Sequence, residues 1–375
     1  MTLTFHWFLP TTGDSRRLVG GGHSVPPDVA RGGGSANTAG RYREPDLDYL
    51  VDVARTAERL GFEGVLTPTG TPCEDAWVVT SALIPHTERL KFLVALRPGL
   101  ISPTLLAQMA STFQRVSGDR LLLNVVVGGD PSEQHRFGDR VEKDERYERA
   151  EEFLRVFRGA FTDDGISFAG DHYDVVDART RAAATVPRIY LGGSSDAAGP
   201  VTARQVDTYL TWGEAPSAVA EKIAWIRGLA EAEGREVRFG IRLHVITRDT
   251  SEEAWAVADR MLAELDPAEV ARAQEALATS ESEGQRRMRA LHGGLTPTDA
   301  RTLEVHPGLW AGVGLVRSGA GTALVGSHGE VADLIGEYAD LGIEELVLSG
   351  YPHVEEAYWF AEGVVPILRA RGLAT

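Results

Sequence analysis

The sequence predicts an α/β fold, a (β/α)8 TIM barrel with insertions, and three observations point to it. Short apolar runs alternate with longer amphipathic runs about eight times along the chain, which favours a barrel over a doubly wound sheet. Several of the short runs, such as residues 121–127 (Leu-Leu-Leu-Asn-Val-Val-Val), are apolar without alternation, the pattern of parallel strands covered on both faces. With 375 residues, 43% of them hydrophobic, the chain can bury one large core and still carry insertions. No repeat or low-complexity linker divides it, so a single domain over 1–375 is expected.

The predicted strands are residues 4–9, 64–67, 92–96, 121–127, 188–191, 208–212, 239–246 and 345–348. Between them, helical periodicity is expected at 46–60, 103–116, 146–157, 217–233, 252–264 and 331–341. Two stretches break the rhythm. Residues 11–44, rich in Gly, follow the first strand. Residues 267–308 hold helical pieces at 270–277 and 285–291 and end in Gly293, Gly294 and Pro297. Insertions this long are often lids on the active face of a barrel, although a surface elaboration or a subunit contact fits the second equally well.

Composition narrows the function. A formal net charge of −16 argues against a nucleic-acid partner, which needs a basic surface. One cysteine, Cys73, excludes an internal disulfide framework and makes a Cys-rich metal centre implausible. No basic leader opens the sequence and no run approaches ~18 apolar residues, so a cytoplasmic protein without a membrane partner is expected.

Residues 238–246 (Arg-Phe-Gly-Ile-Arg-Leu-His-Val-Ile) read as a buried strand carrying Arg242 and His244 on one face. A cation and an imidazole there are expensive to bury unless an anion meets them, so they suggest an anion site at the barrel mouth; a paired core Arg and His is the alternative. Tyr190-Leu-Gly-Gly-Ser-Ser-Asp196 leaves a strand and opens a helix, giving Gly193, Ser194 and Ser195 the makings of a phosphate cradle. Ser318-Gly-Ala-Gly-Thr-Ala-Leu-Val-Gly326 is a second candidate; its Gly319-Ala-Gly-Thr322 segment resembles a phosphate loop only loosely, with neither a triphosphate-loop Lys nor a full dinucleotide spacing. Asn124 interrupts an apolar strand, Trp212 ends another, and Cys73, Arg317, Tyr351 and His353 lie near strand or loop ends. No metal-ligand spacing and no nucleophile elbow occur in the sequence. An anion site beside a phosphate cradle, without a protein nucleophile, leaves chemistry brought by a phosphorylated cofactor.

Taken in order, Phe8-Leu-Pro10, Thr67-Pro-Thr-Gly70, Cys73-Glu-Asp-Ala-Trp77 and Arg89-Leu-Lys-Phe-Leu-Val-Ala-Leu-Arg-Pro98 resemble the reduced-flavin-dependent alkanesulfonate monooxygenases of the bacterial luciferase-like superfamily. The likeness continues through Gly192-Gly-Ser-Ser-Asp196, Tyr209-Leu-Thr-Trp-Gly-Glu214 and Phe239-Gly-Ile-Arg-Leu-His-Val245 to Leu309-Trp-Ala-Gly-Val-Gly-Leu-Val-Arg317, Gly319-Ala-Gly-Thr-Ala-Leu-Val-Gly326 and Leu348-Ser-Gly-Tyr-Pro-His353. The resemblance implies a two-component enzyme that takes reduced FMN from an NAD(P)H-dependent FMN reductase. With O2 it would cleave the C–S bond of an organosulfonate to sulfite and an aldehyde. A homo-oligomer, a tetramer by likeness, is also implied.

By position the resemblance makes Arg242, His244, Arg317 and Tyr351 catalytic candidates and extends substrate binding to Trp212, Cys73, His353 and Thr12. Arg242 and Arg317 suit sulfonate oxygens; His244 and Tyr351 suit orientation of the oxidant or a proton transfer. Flavin-binding candidates are Asn124, Tyr147, Gly193, Ser194, Ser195, Gly319, Gly321 and Thr322. No metal site is implied.

Two departures stand out. Thr12 replaces the family's usual His, and Thr carries no charge near neutrality. The first insertion, with Gly20-Gly-Gly-His23 and Arg31-Gly-Gly-Gly34, is longer than the resemblance to simple alkanesulfonate enzymes implies, which suits either a larger or more polar organosulfonate or a change in oligomer packing. Rival readings are oxygenation of a sulfone, aldehyde or amine on the same scaffold, a deazaflavin-dependent oxidoreductase, or a flavin-binding protein without catalysis.

Overall fold

The computed structural model describes residues 2–18, 42–181, 185–295 and 297–375. The glycine-rich segments at 20–23 and 31–34 of the first insertion lie outside the described residues. Eight parallel strands form a closed barrel: β1 (Thr4–Phe8), β2 (Gly64–Thr67), β3 (Lys91–Leu96), β4 (Leu121–Val125), β5 (Ile189–Leu191), β6 (Thr208–Trp212), β7 (Arg238–Arg248) and β8 (Glu345–Ser349). Neighbours in sequence are neighbours in the barrel, and β8 closes on β1 with Thr4 opposite Glu345. Trp212 stands opposite Arg242 between β6 and β7, and Arg242 opposite Val347 between β7 and β8.

Parallel neighbours need crossovers, and local chemistry starts the crossover helices where the sequence signals them. Asp46 caps the helix Leu47–Arg59, and Ser102 with Pro103 at the first turn starts Pro103–Ser117. Thr250 with Glu253, and Ser327 with Glu330, form capping boxes for Ser251–Ala263 and His328–Asp340.

The period of two along each strand sorts the interior. Outward residues Phe5, Trp7, Ile241, Leu243 and Val245 join the large core under the helices. Phe8, Leu66, Leu93, Leu122, Leu210 and Val347 fill the barrel itself, with Tyr190. Below that layer, at the N-terminal ends of the strands, Glu345 meets His6 at 3.2 Å and Tyr190 at 2.7 Å. Above it, the strand ends open into a cavity.

Two additions elaborate this frame. Strand β7 runs past the barrel, and its distal half pairs in parallel with Ala323–Ser327, which continues through Leu309–Trp310 to Glu304–His306. Residues 323–326, the second half of the Gly-rich candidate at 318–326, are therefore buried strand. The second insertion supplies the helices Pro267–Ala278 and Glu283–His292, whose connecting turn reaches the cavity. A hairpin, Ile166–Ala169 with Asp174–Ala178, was not legible in the apolar pattern because its residues are half-exposed or exposed apart from Ala178.

Candidate active site

Above the apolar layer, β7 turns Arg242 and His244 inward from one face, and the loop before Ala323 brings in Arg317. Both guanidiniums lie over the ring of Phe8, at 4.9 Å for Arg242 and 5.2 Å for Arg317. Arg242 Nη2 donates to Ser349 Oγ at 2.8 Å, and Nη1 donates to the Leu243 and Val347 carbonyls. Arg317 Nη1 donates to the Tyr351 hydroxyl. Among the described residues neither arginine pairs with a carboxylate, although both are at least nine-tenths buried and both line the cavity. Burial, and then the charge of Arg317, push Arg242 down to about 9. Holding two such cations together is unfavourable until an anion arrives.

His244 is bound at both nitrogens. Nε2 lies 3.1 Å from the Ala320 carbonyl, so it donates, and Nδ1 accepts from Ser349 Oγ at 2.7 Å. A directed chain results, from Arg242 through Ser349 to His244 and the backbone. Burial, with Arg242 and Arg317 nearby, drives the His244 pKa well down, so the ring is neutral. Tyr351 stacks on it at 5.6 Å. His244 and Tyr351 thus stand behind the arginines, off the cavity wall.

His353 is placed deeper than its sequence role as a substrate contact suggested. It packs on Phe8 and Tyr351 and its Nδ1 meets Asp14 Oδ1 at 2.9 Å, with Nε2 unpartnered. Asp14 also accepts the His353 backbone N–H at 2.8 Å and the Tyr49 hydroxyl. Burial alone would raise the Asp14 carboxyl, but His353 and Tyr49 hold it below the usual range. The strand pair Asp14–Ser15 with Tyr42–Arg43 closes the root of the first insertion, so this carboxylate ties the insertion to the site. Thr12 and Cys73 line the cavity. Burial pushes the Cys73 thiol up to about 11, so it stays a thiol at neutral pH.

The opposite wall carries the phosphate-cradle residues. Gly193, Ser194, Ser195, Asn124 and Tyr147 all line the cavity. Gly192 and Gly193 are close approaches: a Cβ would stand 2.4 Å from the Leu210 carbonyl oxygen or 2.7 Å from Ala198 Cβ. Tyr209 pins the turn by donating to the Gly193 carbonyl at 2.8 Å. Ser195 Oγ is buried without a partner, and Lys143 lies on the same cavity. The second Gly-rich loop divides. Gly319 lines the cavity, while Gly321 packs against Gly314 and Thr322 donates to the Gly213 carbonyl at 2.7 Å, both away from it.

The second insertion also reaches this cavity, through Ser280, Ser282 and Gln285. Trp212 lies under Gly284, where a Cβ would stand 2.9 Å from the indole ring. Gln285 accepts the Gly319 N–H at 2.9 Å. Arg287 grips Glu214, which also binds Lys222, and Arg146 pairs with Glu281 at 2.9 Å. Asp14, Glu214 and Gln285 were missed by sequence reasoning; a lone acid or amide in a loop carries no local sign of its partner. Among the described residues no group of three or more His, Cys, Asp or Glu could hold a metal ion, and no helix is long and apolar enough to cross a membrane.

The luciferase-like monooxygenase family profile matches residues 3–345. The chain belongs to the luciferase-like monooxygenase family. Solved structures of similar fold include a riboflavin lyase with modified FMN and substrate riboflavin, at a TM-score of 0.77 and 20% identity, covering 100% of this chain and 93% of that one. A long-chain alkane monooxygenase matches at 0.77 and 18%, covering 100% and 93%. The EDTA monooxygenase of Chelativorans sp. BNC1 matches at 0.71 and 20%, covering 100% and 95%. This family member therefore shares its barrel with enzymes named for quite different substrates.

Proposed function

We propose that this luciferase-like chain is the oxygenase of a two-component system that uses reduced FMN and O2 to cleave the C–S bond of an organosulfonate. The single observation carrying the reading is the pair Arg242 and Arg317, two buried cavity-facing cations without carboxylate partners. A guanidinium fork fits the oxygens of a sulfonate and stays charged beside them. Per turnover, one O2 atom leaves in the aldehyde and the other as water, while sulfur departs as sulfite and reduced FMN is oxidised. An NAD(P)H-dependent FMN reductase is the partner that this stoichiometry requires.

The residues fit a flavin. Unpartnered Ser195 Oγ, the close-approach turn at Gly192 and Gly193, and Lys143 suit its phosphate. When bound, reduced FMN would supply the electrons that activate oxygen. The chain's own work is positional. Ser349 and His244 fix the Arg242 fork, Tyr351 fixes Arg317, and the lid turn with Trp212 excludes water.

The test is sulfite release in air, with a flavin reductase, NADH and FMN, across alkyl, aryl and sugar sulfonates. Sulfite that requires both FMN and this chain supports the reading. No sulfite from any sulfonate, with reduced FMN still bound, sinks it. The likeness to an EDTA monooxygenase favours a second reading, oxygenation of a carboxylate-bearing substrate at the same arginines; product formation without sulfite would select it.

A further inference from the structure

A third buried guanidinium faces the cavity, and neither the sequence reading nor the proposed reaction uses it. Arg97 follows β3 with inward parity, two residues beyond Ala95, and is only 5% exposed. Its Nη2 donates to Glu133 at 2.5 Å, and Phe137 covers the guanidinium at 5.3 Å. Nε and Nη1 have no partner, and Arg97 lines the cavity beside Asn124 and Cys73. Glu133, 1% exposed, uses its other oxygen to accept the Thr71 N–H at 3.1 Å. It thereby ties together the loops after β2, β3 and β4.

Unpartnered N–H groups on a buried charge are costly, so two of them beside a cavity point to something the cavity receives. Charge balance narrows what that is. Arg242 and Arg317 have no counter-ion, whereas Glu133 already neutralises Arg97. A second anion would meet no net charge here; a neutral oxygen acceptor would lose nothing.

We propose that Arg97 reads the bound molecule, donating from Nε and Nη1 to a neutral carbonyl-type oxygen, with Glu133 as the positioning residue that holds the guanidinium in place. The inference rests on the flavin reading for its first source of such an oxygen, the dione of the flavin ring; the second source is a carbonyl on the organosulfonate itself.

The experiment is anaerobic titration of reduced FMN, followed by protein fluorescence, on wild type, Arg97→Met and the double variant Arg97→Met/Glu133→Gln. The double variant removes both charges together, so no lone buried carboxylate compromises folding. The Kd for reduced FMN should rise about 10-fold or more in both variants, with the double variant melting within a few degrees of wild type. An unmoved FMN Kd with a KM raised about 10-fold for sulfoacetaldehyde, but not for pentanesulfonate, supports the inference and assigns the oxygen to the substrate. A folded double variant with unchanged FMN Kd and unchanged KM values would overturn it, making the pair an internal strut. Failure of the wild type to bind reduced FMN is a separate outcome: it defeats the flavin reading and takes this inference with it.

Discussion

Arg242 sits in its site at a cost. Its pKa is pushed down to about 9 by burial and by Arg317, while the unfolded chain keeps the proton to much higher pH. The sign follows: below about pH 9 the charged guanidinium weakens the native state, and a bound anion relieves that penalty. Pentanesulfonate should therefore raise the wild-type melting temperature, and Arg242→Met should abolish the rise. The same variant should lose roughly 100-fold in kcat/KM, because one partner of a desolvated charge contact is gone. Its ligand-free melting temperature should hold or rise, because the buried charge is gone; a collapse there would instead make Arg242 a structural residue. At this scale the sequence placed Arg242 and His244 on one face, but not their chemistry. Only Ser349, which is 105 residues from His244 and 107 from Arg242, shows that the imidazole orients the fork and is not a free base.

The second insertion acts as an element. The first turn of its second helix rests on Trp212 at Gly284, where an added side chain would meet the indole. Around it, Arg287–Glu214 and Gln285–Gly319 hold the second helix to the loop after β6 and to the loop before Ala323, and Arg146–Glu281 holds the connecting turn to the helix Lys143–Gly159. Gly284→Val should lower kcat/KM about 10-fold or more through a raised KM, with the melting temperature nearly unchanged because the barrel is untouched. An unaltered KM would mean that the turn does not cover the substrate. Both helices of the insertion were expected from their periodicity, at 270–277 and 285–291, and form as Pro267–Ala278 and Glu283–His292. Their role was left open between lid and subunit contact, since amphipathic spacing reports an apolar face and not what covers it.

At the scale of the whole molecule, the barrel is pinned at the end opposite its cavity. Burial would raise the Glu345 carboxyl, but His6, Tyr190 and Arg238 overcome it and hold the pKa at about 2. A carboxylate with a lowered folded pKa adds stability above its unfolded value near 4.5, and that stability fades as pH falls toward 2. The shift corresponds to about 3 kcal/mol. Urea unfolding of the wild type should therefore weaken steeply between pH 4.5 and 2. Glu345→Gln should be less stable at pH 7 and show a flatter acid limb over that window; an identical pH slope would remove Glu345 from the acid response.

The amino-acid order by itself determined the strands and most crossover helices. Strands at 64–67 and 208–212 form as expected, and helix 103–116 forms as Pro103–Ser117. Periodicity, capping residues and apolar runs act over a few neighbours, so they are readable along the chain. The tertiary structure alone decided which polar groups meet: Asp14 with His353 across 339 residues, Arg97 with Glu133 across 36, and Glu214 with Arg287 across 73. Those encounters depend on how the sheet closes and staggers and on which loops the closure brings to one rim, a global condition that no local window of sequence contains.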